Sequence, residues 1–144
     1  TRLIEASKKL KNDGYSFRIL LVGEGQDTIK YKELVKKYHL EKEILFLGKQ
    51  KNPYPYFKIS DCLVLTSDYE GYPVVYQEAF VLGLPIITTE ENKYGIVTKK
   101  NVEDVYCAMK QFCENGYVIK ENFDIEKFNQ EQLKKIEKLI EERK

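Results

Sequence analysis

The stretch DYEGYPVVYQEAFVLGLPII, residues 68–87, sets two glutamates, Glu70 and Glu78, on either side of Gly71-Tyr72-Pro73. Proline suits the first turn of a helix, where its missing N–H removes no hydrogen bond. The apolar run that follows predicts a helix over 74–82, stopped at Gly83. LPIITT then reads as a buried strand. Glu70 precedes the turn, and Glu78 lies about one turn into the helix. A packed core has no need of that arrangement. A ligand carrying both hydroxyls and phosphate does, because carboxylates accept from hydroxyls and free helix amides donate to phosphate. An early helical glutamate also complements the helix dipole, and Glu-Gly turns are common. The functional reading therefore rests on the surrounding strand–turn–helix context.

Working outward, each neighbouring segment repeats the same rhythm. Leu3, Ile4, Ala6 and Leu10 fall at helical spacing before Asn12-Asp13-Gly14. FRILLVG reads as a buried strand ending in glycine, and EILFLG as another. Between them DTIKYKELVKKYHL predicts an amphipathic helix with Ile29, Leu34, Val35 and Tyr38 as its apolar stripe. NPYPYFKIS reads as a loop leading into a short helix, DCLVLTS as a strand and YGIVT as a last strand. Asn101 is a plausible cap and Gly116 a stop for a helix between them, and a charged helix is expected over 124–144. Alternating strands and helices predict an α/β fold, a mostly parallel sheet with helices on both faces.

In such sheets ligands bind beyond the carboxyl ends of the strands. Those ends are Gly23-Glu24-Gly25, Gly48-Lys49-Gln50 and residues 67–71. The dipole of the 74–82 helix places about half a positive charge at its start, so the Val74 and Val75 amides form a phosphate site without a basic side chain. Tyr15, Tyr54, Tyr56, Tyr72 and Tyr76 are expected around the exits. Gly23-Glu24-Gly25 lacks the third glycine and the later acidic residue of a dinucleotide fingerprint, which disfavours a nicotinamide cofactor.

Composition narrows the classes. The 144 residues suit one domain, and 24 Lys plus Arg against 23 Asp plus Glu give a net charge of +1, no basis for nucleic-acid binding. No apolar stretch is long enough to span a bilayer, and no leader is visible, although the chain opens mid-pattern without a methionine. The odd set Cys62, Cys107 and Cys113 lacks a Cys-x-x-Cys and reads as idle thiols in a reducing cytosol. His39, the single histidine, reads as a helix-end surface residue with no metal-ligand companion.

SDYEGYPVVYQEAFVLGLPIITT, with FRILLVGEGQ, ILFLGKQKNPYPYFKISD and CLVLTS upstream, resembles the donor-binding signature of retaining GT-B glycosyltransferases of family 4, over roughly residues 3–108. The resemblance implies a Rossmann-like three-layer sandwich, the C-terminal half of a two-domain enzyme, binding a nucleotide sugar such as a UDP- or GDP-sugar. By position, Glu70 would contact donor-sugar hydroxyls and serve as the catalytic residue, and Glu78 would hold the ribose. Val74 and Val75 would hold a phosphate, with Gly71, Tyr72 and Pro73 beside them. Gly23 and Gly25 would line the crevice, and Lys49 and Gln50 would flank the base. The family implies no bound metal and no cofactor, a glycan or lipid-linked acceptor held by a separate N-terminal domain, and a cytoplasmic location that includes the inner membrane face. The family's first strand in this domain, with its Gly-Arg and Lys, has no counterpart here; Arg2 does not stand for that arginine. Relatives also carry a longer loop where only 90–94 intervene. The domain alone is expected to bind nucleotide weakly and to be inactive. A GT-B sugar-nucleotide epimerase and a non-catalytic Rossmann-like binding module remain alternatives.

Overall fold

A computed structural model of the protein describes residues 1–66, 74–89 and 96–115, together with 134, 137, 138, 141 and 142. In chain order the elements are α1 (Arg2–Asn12), β1 (Ile19–Val22), α2 (Thr28–Lys37), β2 (Ile44–Gly48), α3 (Tyr54–Ile59), β3 (Leu63–Leu65), α4 (Val74–Val81), β4 (Ile86–Thr88), β5 (Ile96–Val97) and α5 (Val102–Asn115). The anticipated 124–144 helix lies almost wholly outside the described residues.

Every recorded strand pairing is parallel, as the βα rhythm requires. Among the described residues the pairing falls into two parallel ladders, β1-β2 and β3-β4-β5. Among the described residues β1 pairs only with β2, and β3 only with β4. Burial follows: β4, flanked on both sides, is buried throughout, whereas β1 and β3, equally apolar, are only partly covered.

Side-chain alternation builds the three layers. Leu63, Leu65 and Ile86 turn towards Ala79 of α4 and Phe57 of α3. Val64, Ile87 and Ile96 turn the other way, into a cluster with Ala6 and Leu10 of α1 and Val105, Ala108 and Met109 of α5. A third cluster joins Ile4 of α1, Val35 of α2, Leu40 and Ile44. Helix α1 therefore belongs to two clusters and ties the β1-β2 ladder to the rest.

The apolar stripe of α2 is Tyr31, Leu34, Val35 and Tyr38, at the i, i+3, i+4, i+7 spacing of one helix face. Ile29, placed on that stripe by the sequence reading, is 73% exposed. It stands nine residues before Tyr38, two and a half turns at about 3.6 residues each, and so points to the opposite side.

Polar contacts lock α1 to α5. Lys9 pairs with Glu103, the Tyr106 hydroxyl donates to Asp13, and the Tyr15 hydroxyl donates to Glu114. Both phenols are pushed up to about 12, chiefly by those carboxylate acceptors. Tyr15 thus sits at the end of the sheet opposite the strand exits, a correction to its expected place. Asn101 does cap α5: its Oδ1 accepts from the Asp104 N–H at 2.8 Å. His39 closes α2 in the left-handed region at φ 55 and is exposed, matching the helix-end reading.

All three cysteines are free. Burial pushes the Cys62 thiol up to about 12, which leaves a thiolate fraction of about one in ten thousand at pH 8. Alkylation by iodoacetamide at that pH should modify exposed Cys107 and spare Cys62 until denaturant is added, as read by peptide mass spectrometry. Equal labelling of both in the folded chain would contradict this packing.

Candidate functional site

The glycine exits of β1 and β2 meet. The Gly23 N–H donates to the Gly48 carbonyl at 2.8 Å. Gly23 takes φ +114 and Gly48 φ +67, conformations that L side chains rarely adopt. A Cβ added at Gly48 would stand 3.2 Å from Glu24 Oε1, so the missing side chain also makes room for that carboxylate. The Gly25 N–H is engaged by Thr28 Oγ1 at 3.0 Å, which fixes the entry into α2. Lys49 is exposed beside this exit. Gln50 folds back, its Nε2 donating to the Leu47 carbonyl at 2.7 Å, so that amide tethers the loop.

From Gly48 the chain passes through Asn52 and Pro53 into α3. Asn52 Oδ1 accepts the Tyr54 N–H at 3.1 Å. Phe57 packs with Ala79, Leu84 and Ile86, which seats α3 against α4. Tyr54 stands edge-on to Phe57, with ring centroids 6.3 Å apart. Its hydroxyl donates to Glu78 Oε1 at 3.0 Å. That bond to a carboxylate raises the Tyr54 phenol above its ordinary range.

Helix α4 presents Glu78 half-buried, directly before the fully buried Ala79. Val74 opens the helix and Val75 follows it half-buried, and the first amides of a helix have no intrahelical partner. Glu70, Gly71, Tyr72 and Pro73 lie outside the described residues, as does the whole of 67–73. At the end of β3, Arg2 Nη1 donates to the Thr66 carbonyl at 3.1 Å. Among the described residues no group of three or more His, Cys, Asp or Glu side chains is placed to hold a metal ion, and no helix is long and apolar enough to cross a membrane.

The structure thus joins Gly23 with Gly48, and Glu78 with Tyr54. Sequence reasoning named Tyr54 only as one aromatic near the exits. Its partnership with Glu78 spans 24 residues and leaves no local signal. The Glu24 carboxylate beside Gly48 was likewise named only as part of the exit. Chemically, the arrangement offers polarised amides at the start of α4, a carboxylate within the same helix, and glycine backbone joined at the β1 and β2 exits.

Comparison with known proteins agrees with this geometry. An uncharacterized glycosyltransferase of Methanocaldococcus jannaschii is 35% identical over 88 residues, 61% of this chain and 22% of its own. The N-acetyl-alpha-D-glucosaminyl L-malate synthase of Bacillus anthracis is 40% identical over 72 residues, 50% of this chain and 19% of its own. The chain therefore spans about a fifth of the length of these curated relatives. The crystal structure of Anabaena HepE in complex with UDP superposes with a TM-score of 0.68 at 19% identity, over 95% of this chain and 44% of that one. The fold is that of the Rossmann-like domains of GT-B glycosyltransferases, as the sequence predicts. The family model described as Glycosyl transferases group 1 matches residues 1–144, and the chain belongs to that family.

Proposed function

We propose that this chain is the donor-binding domain of a nucleotide-sugar-dependent glycosyltransferase, acting with retention and without a resident metal or cofactor. The observation that carries the reading is Glu78, half-buried about one turn inside α4 and held there by the Tyr54 hydroxyl. A diphosphate laid against the first amides of α4 brings its ribose hydroxyls within reach of that carboxylate. In the transfer, the bond from the donor's anomeric carbon to the diphosphate breaks, and a bond to an acceptor hydroxyl oxygen forms. The diphosphate leaves with the bonding electron pair, and its leaving oxygen takes the proton of the acceptor hydroxyl. The helix terminus stabilises that growing negative charge, which is the largest contribution such a site makes. Glu70 would hold the sugar being transferred, and the acceptor, a glycan or lipid-linked chain, would come from a further domain. UDP bound to HepE and the family match support a nucleotide sugar as donor.

The β1 and β3 edges that find no partner among the described residues support a larger domain with one more parallel strand. Titration with UDP or GDP should shift the amide signals of Val74, Val75 and Glu78 in NMR spectra. If neither nucleotide moves them at millimolar concentration, the donor-site assignment fails.

A further inference from the structure

We infer that Tyr54 is a positioning residue: it turns Glu78 so that the site selects a ribose diol over a 2′-deoxyribose. This rests on the donor-site reading above and deepens it. A glutamate on a helix surface samples several rotamers about three torsions, and a carboxylate that wanders cannot accept from two vicinal hydroxyls at once. Tyr54 removes that freedom. Its single phenolic proton goes to Oε1 of Glu78 at 3.0 Å, leaving Oε2 and the remaining lone pair of Oε1 to accept from a ligand.

The phenol is itself fixed at both ends. Asn52 Oδ1 holds its backbone N–H, and its ring meets Phe57 edge-on. Phe57 packs in the same cluster as Ala79, the residue next to Glu78. The donor and the carboxylate are therefore referenced to one packed unit. Tyr54 is 48% exposed, so the bond serves burial little and is open to a ligand from solvent. The bond also raises the phenol's proton affinity, so the donor stays protonated throughout the neutral range.

The test measures four ligands, UDP, GDP and their 2′-deoxy forms, by NMR or calorimetric titration on each of the unaltered chain, Tyr54→Phe and Glu78→Gln. The unaltered chain should prefer the ribo form of the nucleotide it binds by about tenfold, the size of one charge-assisted hydrogen bond. Tyr54→Phe keeps the ring and its packing and loses only the proton. It should bring the preference down to about threefold while leaving the melting temperature within a degree or two. Glu78→Gln should nearly erase the preference. An unchanged ribo-to-deoxyribo ratio in Tyr54→Phe, with binding intact, overturns this inference alone. Failure of every nucleotide to bind the unaltered chain overturns the donor-site reading and this inference with it.

Discussion

Replacing Glu78 with alanine should weaken UDP or GDP binding by about 10- to 100-fold while leaving the fold intact. Two charge-assisted hydrogen bonds to a ribose are each worth about 1.5–3 kcal/mol before compensation. Water in the vacated space and relief of repulsion between the carboxylate and the diphosphate return part of that. A net loss of about 1.5–3 kcal/mol remains, and about 1.4 kcal/mol is tenfold in affinity. Stability should change little, because Glu78 is only half-buried and its recorded partner, the Tyr54 hydroxyl, is itself exposed. Titration of the nucleotide against both chains measures the effect. An affinity within twofold of the original would show that the ligand's sugar does not reach α4.

The second large effect is structural. Leu10→Ala should destabilise the chain by about 2–5 kcal/mol, a substantial share of the roughly 5–15 kcal/mol that holds a domain together. Leu10 is 0% exposed and lies in the cluster that joins α1 to α5, β3, β4 and β5. Ile4, six residues back on the same helix, lies in the cluster of α2 and β2. A cavity at Leu10 therefore loosens the helix that links both ladders. Urea denaturation should show a lower midpoint, and Ile29→Ala, at a residue 73% exposed, should stay within about 0.5 kcal/mol of the parent. Equal losses for the two variants would refute the role given to α1.

Much of this was legible because it is local. An apolar run ending in glycine marks β1 and β2, and the structure gives both Gly23 and Gly48 a positive φ. Asn101 before an apolar-periodic stretch announced a cap, and α4 stops before Gly83, which takes φ +68. The α2 stripe was misphased by assigning Ile29 to it, since proximity in the chain does not equal proximity around a helix. What stayed hidden was non-local. The division into two ladders depends on which strand edges meet, and strand edges carry no side-chain code. The Tyr54–Glu78 bond depends on how α3 docks on α4 through Phe57, which no spacing within either helix encodes.

Those two ladders have a colloidal consequence. Among the described residues the unpaired side of β1 and of β3 carries ILLV and LVL, and although the β1-β2 register shifts between Leu21 and Val22, neither strand brings the lysine or proline that natural border strands use to repel strangers. In concentrated solution such rims recruit whatever extended chain is nearby, another molecule of the same kind included. The hydrophobicity that suits these strands to a sheet's interior is then what would draw copies of this chain together.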